Sequence, residues 1–243
     1  MSLPLSGHLS FEAISTVSTS TPGCLDSIPA EVYKDLRPEV GREFGNAFDF
    51  GRPQALSTYL DSPALQTNEV SPGALSLTAL VKLLASQTSA PSLEQIYDWL
   101  ENAEVSAEEL APYRGFKDGN YWRHLVCRNE FVEMLVLCWR PGQRTPIHDH
   151  NGSHGGVRVC EGTMWETTFT YDPAKGLRYK TASEYSTGAV TGSDIPDIHQ
   201  LGNPDVSEQD MVTIHIYAPP LGVLHTYKPG SAAVDLYTPP EPE

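Results

Sequence analysis

The sequence predicts a mainly β fold, a β-barrel of the jelly-roll type with a small N-terminal helical cap. Three observations carry this. Helical periodicity is confined to residues 75–112. From Tyr121 onward the chain breaks into short runs rich in β-branched and aromatic residues. Turn dipeptides separate those runs: Pro141-Gly142, Glu161-Gly162, Asp172-Pro173 and Asn203-Pro204. Many short strands at close spacing favour an antiparallel sheet closed or doubled on itself, which removes exposed edges.

Residues 1–73 are rich in Ser, Thr, Pro and Gly and show no sustained periodicity. Such a composition buries too little apolar surface to offset the entropy of ordering, so a poorly ordered extension is expected ahead of one domain at 74–243. Leu77, Leu80, Val81 and Leu84 recur at helical spacing and mark the first helix. Ser92 with Gln95 forms a capping box for a second helix, whose apolar face is Leu93, Ile96, Tyr97 and Leu100. Ser106 with Glu109 repeats the box for a shorter third helix. Strands are expected at 131–139, 156–160, 163–171, 177–184, 185–191 and 211–217, within a barrel over about 121–237.

The 243 residues suffice for one well-buried domain with an extension to spare. Acidic residues number 31 against 16 basic ones, a net charge of -15. That balance argues against nucleic acid and against an anionic membrane as partner, since both attract basic surfaces. No apolar run approaches the roughly eighteen residues a spanning helix needs. The first basic residue is Lys34, and no charged segment precedes an apolar run at the start. Cys24, Cys127, Cys138 and Cys160 form no C-x-x-C pair. A cytoplasmic protein with free thiols is the expectation, with a monomer as the default state.

Five of the eight histidines lie between residues 148 and 215. His148-Asp149-His150 is the sharpest feature, because residues i and i+2 of an extended chain point the same way and can chelate one ion. Gly142, five residues, His148-x-His150 and then Gly162 match the first motif of the cupin barrels in length. The slot that motif gives to Glu is Gly155 here. His199 with Asn203 fits the end of the second motif. The reading is a three-histidine metal site of His148, His150 and His199 without a protein carboxylate. The common iron(II) triad of oxygenases has two His and one carboxylate. Three neutral ligands leave the full metal charge, which favours an anionic ligand such as a thiolate. Zinc, or a cupin that binds metal without catalysis, fits the same spacing.

The run Tyr121-Trp-Arg123-His-Leu, then Leu135-Val-Leu-Cys-Trp139, then Ile147-His-Asp-His-Asn-Gly-Ser-His154 resembles the cysteine dioxygenase family. The segment Thr213-Ile-His215-Ile-Tyr217-Ala-Pro-Pro220 is similar to that family's Ser-x-His-x-Tyr-Ser-Pro-Pro stretch. The likeness runs from about Leu75 to Tyr227. It implies oxidation of a small thiol substrate, L-cysteine, by dioxygen to cysteine sulfinate at Fe(2+). It also implies that Arg123 holds the substrate carboxylate, a task suited to a planar guanidinium. Tyr121 would steady that arginine. Thr213, His215 and Tyr217 alternate onto one strand face and would form a relay that places the Tyr217 hydroxyl at the reacting atoms. Trp139 and His154 match pocket-shaping positions, and Ala218-Pro219 matches a candidate cis step.

Animal members carry a cysteine cross-linked to the tyrosine at the position of Gly155, so no thioether is expected at Tyr217. A related subgroup acting on 3-mercaptopropionate typically has Gln at the position of Arg123, which favours cysteine here. A metal-binding cupin acting as a sensor is the reading from another functional class.

Overall fold

The computed structural model describes residues 73–193 and 197–243. The expectation for the N-terminal extension therefore falls, apart from Gly73, outside the described residues. Three short helices lead: α1 (Leu77–Ala85), α2 (Leu93–Glu101) and α3 (Ala107–Leu110). Each begins at a serine whose side chain accepts from a backbone N–H three residues on, and α2 and α3 carry complete capping boxes. A cap of this kind satisfies one of the donors that a helix start leaves unpaired. That lets helices as short as these persist once their apolar faces are covered.

Eleven strands follow among the described residues. They are β1 (Trp122–Arg128), β2 (Glu133–Trp139), β3 (Ile147–His148), β4 (His154–Glu161), β5 (Thr163–Asp172) and β6 (Gly176–Ser186). Then come β7 (Val190–Ser193), β8 (Ile198–Gly202), β9 (Met211–Ala218), β10 (Leu224–Tyr227) and β11 (Val234–Tyr237). They build a five-stranded sheet in the order β1-β2-β9-β4-β7 and a six-stranded sheet in the order β11-β10-β3-β8-β5-β6. The strand pairs within both sheets are antiparallel. This is a mainly β double-sheet barrel with a helical cap, as the sequence predicts.

Strands β2 and β9 are buried along their whole length, and the reason is a division of faces. Met134, Val136 and Cys138 with Val212, Ile214 and Ile216 pack against Leu80, Leu84, Ile96 and Leu100 of the helices. The alternate residues Leu135, Leu137, Trp139, Met211 and Tyr217 turn inward and meet Met164 and Leu201 of the other sheet. Burying a Leu or Ile side chain contributes about 1.5–3 kcal/mol, so the cap seals the outer face and leaves the inner one free for polar groups.

The expected boundary between residues 184 and 185 is absent, and β1, β3, β8, β10 and β11 lie outside the expected strand ranges. No break separates Glu184 from Tyr185: β6 runs on to Ser186, and the chain turns at Thr187-Gly188, where Gly188 has φ +91°. The left-handed conformation there is one that glycine adopts without strain. Strand β3 has only two residues, too few for a period-2 pattern to register, and β8 sets two polar residues, His199 and Gln200, side by side and breaks the alternation.

Candidate metal centre and pocket

β3 and β8 pair so that His148 and His199 are direct partners across the ladder. His150 lies two residues past the end of β3. The three imidazoles are buried, and one ring nitrogen from each lies within 4.8 Å of the others. The closest pair is His150 Nε2 and His199 Nε2 at 3.3 Å. Ring centroids are 4.9–5.2 Å apart.

Partners on the far side of the rings fix which nitrogen faces inward. A carbonyl can only accept, so the 2.9 Å contact of His148 Nδ1 with the Pro146 carbonyl makes Nδ1 the protonated nitrogen. His199 Nδ1 donates to Glu166 Oε1 at 2.8 Å. Both rings thus turn Nε2 toward the cluster, as hydrogen bonds to the outer nitrogen of ligand histidines do in metal sites. Three converging nitrogens in a buried setting fit a divalent transition ion, and no carboxylate oxygen joins the group. Glu166 and Asp197 form a second grouping with His199. Both carboxylates approach its outer nitrogen, however, Asp197 Oδ2 at 3.4 Å, so they act on the ligand and not at the centre.

Glu166 carries no sequence motif. On β5 it reads as one more polar strand residue, yet it is buried beside β8, and Thr191 donates to its Oε2 at 3.3 Å. Burial pushes its carboxyl up, but the His199 hydrogen bond and charge outweigh this and hold it below the usual range. Asp149, between the two ligand histidines, points the other way. It accepts from Tyr227 Oη at 2.8 Å, His225 Nδ1 at 3.1 Å and the Asn151 N–H at 3.0 Å, clamping the ligand loop to β10.

Burial dominates the protonation of the cluster. It pushes His148 down to about 3, with His199 adding to the effect, and takes His150 well below its ordinary value. Burial also acts to lower His199, but the Glu166 hydrogen bond and the Asp197 and Glu166 charges reverse this, and its value is raised.

The inner face of β9 brings Thr213, His215 and Tyr217 into one chain of hydrogen bonds. Trp139 Nε1 donates to Thr213 Oγ1 at 2.9 Å, Thr213 Oγ1 meets His215 Nε2 at 2.8 Å, and His215 Nδ1 meets Tyr217 Oη at 2.9 Å. Burial pushes His215 down to about 3, so the ring is neutral and has one N–H. The assignment that places the one unused hydrogen at the pocket and not inside the relay runs from Trp139 to Thr213 to His215 Nε2, then from His215 Nδ1–H to the tyrosine oxygen. Tyr217 keeps its own O–H for the pocket. Burial raises its pKa strongly and the Arg123 charge offsets only part of this, so it stays protonated. Its ring packs edge-on against His150, centroids 5.3 Å apart.

Arg123 lies on β1 opposite Leu137, an inward residue of β2. It lines a cavity of about 30 Å³ together with His148, His215 and Tyr217. Its charge acts to lower the pKa of all three. One N–H of its guanidinium, on Nη1, donates to the Pro240 carbonyl at 2.7 Å. Tyr121 lines the same cavity and stacks on Trp139 at 4.2 Å, so its described ring contact is with the tryptophan. Burial pushes its hydroxyl up to about 12.

The structure does not bring His154 to this pocket. It pairs with Ala218, whose side chain belongs to the helix-facing cluster, and its Nε2 contacts the Pro91 carbonyl at 2.7 Å. Gly155, one residue on, is the one that faces Tyr217. Cys127, Cys138 and Cys160 are free and pack with the helix-facing cluster. The Ala218–Pro219 bond is cis. No described helix is long and apolar enough to cross a membrane.

Residues 66–229 match the family described as Cysteine dioxygenase type I. Cysteine dioxygenase type 1 of Rattus norvegicus and that of Homo sapiens are each 29% identical to the chain over 140 residues, 56% of this chain and 70% of theirs. The enzyme of that name from Danio rerio is 25% identical over 158 residues, 62% of this chain and 78% of its own. Among solved structures, a Klebsiella pneumoniae protein with a double-stranded β-helix domain is 16% identical, covers 54% of this chain and 89% of its own, and gives a TM-score of 0.38.

Proposed function

The chain belongs to the cysteine dioxygenase type I family, and from that premise we propose that it is an iron(II)-dependent thiol dioxygenase converting L-cysteine and dioxygen to cysteine sulfinate. The observation that carries this reading is one buried pocket with three kinds of group on its walls. These are His148, one of a converging set of three imidazoles, a neutral tyrosine held by a hydrogen-bonded relay, and an arginine. Iron(II) held by His148, His150 and His199 would supply the redox centre at which thiol sulfur and dioxygen react.

The protein's own groups do the rest. Arg123 offers a planar cation to the carboxylate of the substrate, within a chain whose net charge of -15 otherwise repels an anion. His215 holds the Tyr217 oxygen, so the phenol hydrogen serves as a donor toward substrate oxygen or sulfur. Leu135, Leu137 and Leu224 line the same cavity and exclude water, which strengthens each polar contact inside. The net change is closed: one thiol and one dioxygen give one sulfinic acid, with both oxygen atoms on sulfur.

The test is anaerobic loading with iron(II), followed by oxygen uptake with L-cysteine, 3-mercaptopropionate and cysteamine and identification of the product by mass. L-cysteine is expected to be consumed one-to-one with dioxygen and to gain two oxygen atoms. Iron-loaded protein that takes up no oxygen, or that prefers either other thiol, overturns the assignment.

A further inference from the structure

Residues 237–243 carry no motif, yet they run along β1, the edge strand of the five-stranded sheet. The Glu243 N–H donates to the Arg123 carbonyl at 3.0 Å, and the Leu125 N–H donates to the Glu243 carbonyl at 3.1 Å. Lys117 forms an ion pair with Glu243, and Arg128 lies 3.3 Å from Glu241. Just before these anchors in the chain, the Pro240 carbonyl accepts from Arg123 Nη1 at 2.7 Å. Tyr237 and Pro239 line the same cavity as Arg123 and Tyr217. Pro239, Pro240 and Pro242 fix their own φ angles, so the segment has little freedom to lose on docking.

We propose that residues 237–243 form a positioning strap for the carboxylate subsite: the Pro240 carbonyl holds one end of the Arg123 guanidinium and aims its remaining donors into the pocket. This rests on the reading of Arg123 given under Proposed function. A guanidinium has five N–H donors in one rigid plane, so a short charge-assisted bond at one end restricts the orientation of the whole fork. An arginine without that hold must be ordered by the substrate itself, which weakens binding of a carboxylated thiol roughly three- to tenfold. A thiol lacking the carboxylate does not use the fork and is indifferent to it. The exposed ion pairs of the strap contribute little by themselves, and a strap that only stabilised the barrel would alter all thiols alike.

The test uses the full-length chain substituted with cobalt(II), in which the thiolate charge-transfer absorption reports binding without turnover. Dissociation constants for L-cysteine and cysteamine are measured anaerobically in the unaltered protein, in Pro240→Gly/Pro242→Gly and in Lys117→Ala/Glu241→Ala. The strap predicts L-cysteine weakened roughly three- to tenfold in the proline variant and in the same direction in the other, with cysteamine within about twofold. Equal shifts for both thiols, or none for either, overturn it. An unaltered protein that binds neither thiol, or binds both equally well, refutes the reading of the pocket instead.

Discussion

Gly155 lies opposite Tyr217 in the β4–β9 pair, and replacing its hydrogen with a methyl group tests how tightly that tyrosine is held. A Cβ built there would sit 2.6 Å from Tyr217 Cδ1, 3.0 Å from its Cε1 and 2.9 Å from the Ile216 carbonyl oxygen. Ordinary contact begins near 3.4 Å, so the ring must retreat by about 0.8 Å (3.4 less 2.6). It has nowhere to go without cost. His150 packs against the ring, and its hydroxyl is tied to His215 at 2.9 Å. A retreat of that size takes the hydroxyl beyond good hydrogen-bond distance. Overpacking a rigid core costs about 1–3 kcal/mol, and each kcal/mol lowers the melting temperature of a domain this size by roughly 2–4 °C. Gly155→Ala is therefore expected to lower the calorimetric melting temperature by about 4–8 °C, for a cost near 2 kcal/mol. It is also expected to lower kcat about a hundredfold at equal iron content, since a misplacement near 1 Å costs that much. Placing the same change in a Tyr217→Ala background removes the ring from the clash, and the two costs should fall short of adding by at least about 0.5 kcal/mol. A variant that melts within a degree of the parent and turns over normally would show that Gly155 does not seat the tyrosine.

The other predictions concern the ligands and the cysteines. Glu166→Gln keeps the shape of the partner of His199 but removes its charge, and metal affinity measured against a chromogenic chelator should fall roughly ten- to a hundredfold; an unaltered affinity would show that Glu166 does not support the ligand. In the metal-free protein the proton that competes with metal belongs to His199, whose pKa is raised, while His148 and His150 are pushed down and already neutral. As pH falls through the His199 value the affinity should drop about tenfold per pH unit, a one-proton slope, and a slope of two or three protons contradicts this. Burial pushes Cys127 up to about 11, Cys160 up to about 12 and Cys138 above its ordinary value. With so little thiolate at pH 8, iodoacetamide should leave these three untouched in the folded protein and label them after unfolding; peptide mapping decides.

Much of the architecture is written in local patterns. Ser92 with Gln95 and Ser106 with Glu109 mark their helix starts because a capping box needs only residues three apart. On β9, Thr213, His215 and Tyr217 alternate with Val212, Ile214 and Ile216, so a period of two separates the polar interior from the helix-facing seam. The same parity explains His154. If Gly155 faces Tyr217, its neighbour must face away, and only the family likeness pointed His154 into the pocket. Glu166 was not legible, because its burial depends on β8 lying beside β5, a pairing made by residues far apart in the chain. Residues 237–243 were hidden for the opposite reason. A segment rich in Pro and Glu reads as solvated chain, and only its docking on β1 gives it a partner.

The relay and the ligand histidines follow one rule of satisfaction. Leaving a buried donor or acceptor unpaired costs about 1–3 kcal/mol, so the relay from Trp139 through Thr213 and His215 is stable only because each member meets the next. The rule also identifies where binding must occur. The Nδ1 nitrogens of His148 and His199 are committed to Pro146 and Glu166, which leaves their Nε2 lone pairs facing His150. The Tyr217 oxygen accepts from His215, which leaves its hydrogen for the pocket, and the Arg123 fork is held at one end by Pro240. A lone-pair cluster calls for a cation, a phenol hydrogen calls for an acceptor close to that cation, and a cationic fork calls for an anionic group at the other end of the ligand. A metal ion together with a small carboxylated thiol meets all three demands at once, whereas a bare metal ion meets only the first.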